Sequence, residues 1–353
     1  MGARILPVLL LLALPAVALA SAVPVGSMTD ARNAAAAVVL PDGRVLVVGG
    51  TQHESRILTA EIYDPAARTF HPTSTHMHSA YQEIKAFVLP DGRVLICGGS
   101  PSPASEVYDP ATDMFTATAP PSISHYSAAA VQLRDGRVLL AGGNDDKFDP
   151  IGNVEIFDPA TNSWTADGNL ALARADHAAA LLPDGRVLIV GGQTLTDRVD
   201  SEIFDPATQT STVIPDSTYS QPIPVPLPNG KVVIFEAGRI DEFDESTETY
   251  TKLADFLPTA GQMVTLLGNG LLMAAGGLDA RGSGPSSLIL LVDPASGAIV
   301  PGGRLPGPRL SATSTLLPDG SVLIAGGLDA SGQSTAAAAV YTFSPLRHRS
   351  TQP

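Results

Sequence analysis

Ten residues before each of seven regularly placed Asp or Asn turn residues stand Arg32, Tyr81, His125, Arg174, Tyr219, Thr259 and Arg309. Three guanidiniums, two phenols and an imidazole in one register can bind an anionic or sugar-like ligand, provided the fold gathers them. They would do so through charge-assisted hydrogen bonds and ring stacking. The same side chains can instead pair with the backbone or carboxylates of neighbouring units and hold those units together. Arg174 is followed by Asp176 and His177, residue types that general acid–base chemistry uses. His71, His76 and His78 share one loop with Met77 and Glu83, and His53 and Glu54 lie in the preceding loop. No zinc-type spacing joins them, so a solvated loop is the reading adopted. Asn144, Asp145 and Asp146 are rich in oxygen but lack the glycine and distal Glu of an EF-hand loop. The residues therefore predict no metal, no cofactor and no catalytic set. They leave Arg32, Tyr81, His125, Arg174, Tyr219 and Arg309 as candidate ligand-binding side chains.

A repeat is what would carry that register to one place. The stretch Leu182 to Gly192, Leu-Pro-Asp-Gly-Arg-Val-Leu-Ile-Val-Gly-Gly, recurs with small changes seven times. Its turn pairs are Asp42-Gly43, Asp91-Gly92, Asp135-Gly136, Asp184-Gly185, Asn229-Gly230, Asn269-Gly270 and Asp319-Gly320. A two-residue Asp-Gly or Asn-Gly turn takes positive φ at both central positions, and between apolar runs it is a strong hairpin signal. In the first unit the hairpin joins Ala36 to Leu40 with Arg44 to Val48. A variable loop then leads to a third strand, Ala60 to Tyr63, stopped by Asp64-Pro65 because Pro cannot donate to a ladder. A fourth strand is predicted around Arg68 to Pro72. Residues seven apart face one another across this last turn: Tyr63/Phe70, Tyr108/Phe115, Phe157/Trp164 and Phe243/Tyr250, with Val292/Ile299 apolar and Phe204 opposite Ser211. Glu61, Glu106, Glu155 and Glu202 recur in register on the third strand and read as structural.

Each unit is thus a four-stranded antiparallel meander that cannot bury both faces alone. Seven such sheets around an axis cover one another and leave only short edges. The Ala- and Val-rich first strands would line the axis. The fifth unit is worn, with Phe235 to Gly238 replacing the usual ending. The seventh, with strands Thr313 to Leu317, Val322 to Ala325 and Ala337 to Phe343, lacks a fourth strand. Ala22 to Gly26 can supply it and close the ring, removing two sheet edges. The expected fold class is all-β, a seven-bladed β-propeller whose last blade is completed by the N-terminal strand.

Composition agrees. The 353 residues include 33 Gly and 30 Pro with only 5% aromatics, which suits short strands and tight turns. A formal net charge of −14 and the lack of a basic stripe disfavour nucleic-acid binding. Arg4, the apolar run Ile5 to Ala18 and the site Ala18-Leu19-Ala20 read as a signal peptide over residues 1–20. The run is short for a membrane span. The mature chain from Ser21 is then expected to be secreted or periplasmic, without a membrane span, and a monomer. It would comprise the propeller over 21–346 and a frayed tail over 347–353. Cys97, the single cysteine, lies in the run Val94 to Cys97 and reads as a buried small hydrophobe.

Paired glycines after a hairpin, then Glu-(Val/Ile)-(Tyr/Phe)-Asp-Pro and an aromatic seven residues on, resemble the kelch repeat over about Val23 to Pro345. The units at Gly50, Gly99, Gly143 and Gly192 match well, those at Gly277 and Gly327 in part, and that at Gly238 weakly. The Leu-Pro-Asp-Gly-Arg-Val-Leu wording is similar to exported bacterial kelch-repeat proteins. The resemblance implies a fold and a binding scaffold, not a reaction. Kelch units commonly carry Arg near the register above, which weighs toward its structural use. Galactose-oxidase-like copper enzymes share this fold and use a Cys-linked Tyr, further Tyr and His ligands and a stacked Trp. Here Cys97 lies inside a repeat strand, Trp164 fills a repeat position, and His125-Tyr126 is in reversed order. Exported sialic-acid mutarotases place acidic and basic groups on the channel, for which Arg174 with Asp176 and His177 offers material. No sialidase Asp-box, Ser/His/Asp motif or WD40 signature is present.

The reading carried forward is a secreted kelch-like module that binds a protein or carbohydrate, without catalysis. Its face would be the variable segments Thr51 to Leu58, His71 to Glu83, Asn144 to Asn153, Gln193 to Asp200, Arg281 to Ser286 and Asp329 to Ser334. A mutarotase-like carbohydrate-active enzyme is the alternative. The enzyme needs a carboxylate or imidazole free of structural partners beside an open pocket, and the binding module needs the register to converge.

Overall fold

A strand that is apolar at every position must be buried on both faces. The second strand of five units meets this condition: Val45–Val48, Val94–Cys97, Val138–Ala141, Val187–Val190 and Val322–Ala325 are buried throughout. Because side chains alternate along a strand, each one feeds two different cores. Val45 and Val47 pack with Leu323 and Val340, whereas Leu46 and Val48 pack with Val94 and Ile96. Leu95 and Cys97 in turn meet Val138 and Phe157. The computed structural model describes residues 21–343 apart from 54, 80–83, 100–103, 196, 216, 257–258 and 280. The leader expected at 1–20, the tail at 347–353, Tyr81 and Glu83 lie outside the described residues.

These sheets are seven four-stranded antiparallel blades. Blade 1 comprises Ala36–Val39, Val45–Val48, Ala60–Asp64 and Thr69–Pro72. One hydrophobic core lies between each pair of neighbouring blades, and the core of Val45, Val47, Leu323 and Val340 joins blade 7 to blade 1, so the ring is closed. The fourth strand of blade 7 is Ala22–Pro24, with Ala22 opposite Tyr341, Val23 opposite Val340 and Pro24 opposite Ala339. The inner strand of blade 1 adjoins those of blades 2 and 7 and, like theirs, is half-buried along the axis.

The hairpins fall where the sequence places them, but the turn is of another kind. The seven Asp and Asn residues keep negative φ, and only the glycine is left-handed, as at Gly43 with φ 88°. The Gly43 amide donates to Leu40 O at 2.9 Å and the Leu40 amide to Arg44 O at 2.7 Å. This is a three-residue loop, a type I turn followed by a left-handed glycine. Pro41 suits it, since its fixed φ matches the first central position of a type I turn, but the same bonds form in blades 3 and 6, where Arg134 and Gly268 stand at that position. The rings seven apart do face each other, Tyr63 on Phe70 at 4.9 Å and Phe157 on Trp164 at 5.3 Å. Phe204 lies opposite Ser211, as expected.

In blade 5 the second and third strands, Val232–Glu236 and Gly238–Asp244, join directly through Ala237, so this blade contributes no long loop to the face. Among the described residues, no helix is long and apolar enough to cross a membrane.

Candidate functional site

The segment entering each inner strand pairs with the residue that leaves the second strand, through bridges Asn33–Thr51, Tyr126–Asn144, Ala175–Gln193 and Leu310–Leu328. This places the register of Arg32, His125, Arg174, Tyr219 and Arg309 on the same face as the variable loops. Its side chains, however, turn inward. Arg32 and Arg174 are 1% and 0% exposed. The Arg32 guanidinium donates to Gly49 O at 3.1 Å, Thr59 O at 2.9 Å and Glu61 Oε1 at 3.0 Å. In blade 4 Arg174 makes the equivalent contacts, donating to Gly191 O at 2.6 Å and Glu202 Oε1 at 2.5 Å. Burial lowers the pKa of both guanidiniums and the paired carboxylate opposes that shift.

Each glutamate also holds the chain arriving from the preceding blade. Glu61 accepts from the Thr29 and Asp30 amides, Glu106 from His78 and Ser79, Glu155 from Ser122, and Glu202 from Ala171 and Leu172. The third-strand glutamate therefore clamps an inter-blade connection, and the rim cation neutralises the glutamate. In blade 3 His125 takes the rim position, with Nδ1 2.7 Å from Gly142 O and Nε2 3.4 Å from Glu155.

In blade 5 both partners change. Tyr219 donates to Asp241 at 2.8 Å, and Arg239 supplies the missing charge at 2.7 Å from Asp241 while lying over the Tyr219 ring. In blade 7 the glutamate position is Ala339, as the strand register shows. Arg309 is thus the one rim cation among the described residues without a carboxylate partner in an ion pair; it is half-buried and donates to Pro308 O at 2.8 Å. The register shares a face, but the charges of Arg32 and Arg174 are spent inside their own blades. Tyr81 lies outside the described residues.

His177 behaves in the same way. It is buried, bonds Ala141 O of the neighbouring blade at 3.0 Å, and has its pKa pushed down to about 3 by burial, aided by the Arg174 charge. The unfolded chain therefore takes up a proton near pH 6.5 that the folded chain refuses. Its contribution to stability is complete above that pH and is lost as pH falls toward 3. His177→Gln, which keeps a donor for Ala141, is expected to remove about 2 kcal/mol of the stability difference between about pH 7 and about pH 5. Urea unfolding of both forms across that range measures it, and parallel curves would contradict the assignment. Asp176 is different: it is exposed and accepts from Gln193 Nε2 at 2.9 Å within its own blade.

Two equivalent recesses open on this face between blades. One, about 510 Å³, lies between blades 7 and 1 and is lined by Asn33, Thr51, His53, Leu328, Gly332 and Ser334. The other, about 240 Å³, lies between blades 3 and 4 beside Asn144, Phe148, Asp176, Gln193 and Leu195. Phe148 is 57% and Leu195 72% exposed. Phe148 also sits at φ 64°, a left-handed conformation that costs a bulky residue roughly 1–2 kcal/mol. Sequence reasoning passed over this recess. The available signal was an aromatic residue where the matching turn in blades 6 and 7 carries glycine.

Among the described residues, no three His, Cys, Asp or Glu side chains gather so as to hold a metal ion. His78 Nδ1 lies 2.8 Å from Glu106, His71 is on the exposed outer strand of blade 1, and His53 borders the larger recess. Cys97 is buried between blades 2 and 3, with its thiol pKa raised to about 12 by burial.

No family model and no curated sequence matches the chain. Many solved structures resemble it, two of them as follows. A fungal alcohol oxidase of the AA5 family, described in complex with copper, is 17% identical with a TM-score of 0.75, the match covering 92% of this chain and 76% of that one. The structure of YjhT is 14% identical with a TM-score of 0.56, covering 90% of this chain and 96% of that one. At these identities the likeness shows the propeller fold.

Proposed function

We propose that the chain is an exported kelch-type propeller that acts as a binding module, presenting its loop face to a carbohydrate or protein partner. One observation carries this reading: the groups that would do acid–base work at the rim are committed to holding the blades. Arg32, Arg174 and His125 are engaged with carboxylates of their own blades, and His177 is locked against blade 3 and kept neutral. What remains accessible is the kind of surface that binds, an exposed aromatic and an exposed aliphatic residue beside an amide and a carboxylate.

The copper of the AA5 oxidase does not suit this chain's described residues. No His, Cys, Asp or Glu cluster of the needed size forms, and the single cysteine is buried between blades, where it cannot reach the face. A carbohydrate-active enzyme remains the second reading, favoured by Asp176, whose carboxylate is exposed at an open recess. A glycan and peptide array on the full chain separates the two, followed by NMR of any bound sugar. The expected result is retention of a ligand whose anomers interconvert no faster than without protein. Accelerated interconversion or chemical change of the bound sugar would move the assignment to the enzyme, and an empty array would refute the binding reading.

A further inference from the structure

Phe148, Gly282 and Gly332 occupy one position of one turn. Their amides donate to the carbonyls of Asp145, Asp279 and Asp329 at 3.0, 2.8 and 2.9 Å, and all three have positive φ. The aspartate caps the turn alike in each, Oδ1 accepting from Lys147 and Asp149, from Arg281 and Ser283, and from Ser331 and Gln333. Glycine is the residue this conformation favours. Blade 3 nevertheless places phenylalanine there and leaves it largely in water, where its burial cannot repay the strain. Its ring stands edge-on to Tyr126, at 5.7 Å and 87°, which fixes its direction.

The two recesses allow a comparison within one molecule. Matched by the bridges that frame them, Phe148 corresponds to Gly332, Asp176 to Ala34 and Leu195 to His53, while Gln193 corresponds to Thr51. The recess between blades 3 and 4 therefore gains, relative to its counterpart, a fixed aromatic ring, an aliphatic wall and a carboxylate bonded to a carboxamide.

We infer that this recess is a subsite for one neutral pyranose ring. The apolar face of the sugar would stack on Phe148 against Leu195, and its hydroxyls would meet Asp176 and Gln193. An aromatic plate beside groups that accept and donate hydrogen bonds suits a ring with one CH-lined face and an equatorial rim of hydroxyls. The Asp176 carboxylate on a strongly acidic chain turns away uronic and sialic acids. A volume of about 240 Å³ lies below the ~300–1,000 Å³ of pockets that enclose drug-sized ligands, as fits a shallow subsite for a single ring.

This inference rests on the binding reading but can fail without it. The test is saturation-transfer NMR of the full chain with the methyl pyranosides of glucose, galactose and mannose and with methyl glucuronide, repeated on Phe148→Gly. At least one neutral pyranoside is expected to contact the unmodified chain, with affinity roughly tenfold weaker in the variant. The melting temperature of Phe148→Gly should not fall, since glycine relieves the left-handed φ; a merely structural Phe148 would lower it. Neutral contact that survives Phe148→Gly, preference for the glucuronide, or Phe148-dependent binding only of array peptides would each overturn the sugar subsite while leaving the binding module standing. No contact from any pyranoside together with an empty array would overturn both.

Discussion

Arg174→Ala is expected to destabilise the fold by about 3–5 kcal/mol, the usual cost of leaving one partner of a buried ion pair without the other. Glu202 would keep donors from the Ala171 amide at 2.6 Å and the Ser211 hydroxyl, but its charge would lie uncompensated at 0% side-chain exposure. Gly191 O would lose its guanidinium donor as well. Burial lowers the pKa of the guanidinium, and the Glu202 charge opposes that shift. By contrast, Arg186 and Asp184 pair at the surface of the opposite face, where an exposed pair contributes about 0–1 kcal/mol. Urea unfolding measures both: the midpoint should fall steeply for Arg174→Ala and hardly move for Asp184→Ala.

Removal of residues 21–26 is expected to be comparably damaging and to change the association state. Ala22–Pro24 covers the edge of Ala338–Tyr341, and the Val25 amide extends the ladder to Ala338 O at 3.1 Å. Gly26 then crosses to blade 1, donating to Arg68 O at 3.0 Å in a position where an added Cβ would press on that carbonyl at 3.0 Å. The segment is therefore both the last strand of blade 7 and a strap to blade 1. Its loss would forfeit several ladder hydrogen bonds and the burial of Ala22, on the order of 3–5 kcal/mol. It would also leave an unpaired edge that recruits other chains. Sedimentation should show concentration-dependent oligomers for the truncated chain, and a stable monomer with an unchanged melting temperature would contradict the closure.

The repeat was legible because its signals are local. The Asp-Gly pairs, the apolar second strands and the residues seven apart each report a short-range constraint, and together they specify seven meanders. Even the missing strand of blade 7 could be found, as the meander there ends one element short while Ala22 to Gly26 reads as an orphan tail. Turn type was less legible, because the same Asp-Gly pair fits a two-residue or a three-residue loop, and the three-residue loop forms whether the preceding residue is Pro41, Arg134 or Gly268. The fate of the rim register depended on long-range geometry. Whether Arg32 points to a ligand or to Glu61, 29 residues away, is set by the path of the chain between them, which spacing does not encode. The recess between blades 3 and 4 was hidden for the related reason that its walls come from loops on two blades. Only the alignment of Phe148 with Gly282 and Gly332 exposes it.

Everything said of the face rests on the rim charges serving the blades and not a ligand. A double-mutant cycle on Arg174 and Glu202, read by urea unfolding, tests this most directly. The account predicts that Arg174→Ala and Glu202→Ala each lose about 3–5 kcal/mol and that the double variant loses far less than their sum, a coupling of several kcal/mol. Single variants that stay within about 0.5 kcal/mol of the unmodified chain and add without coupling would contradict it, and would return Arg174 to the list of groups free to meet a ligand.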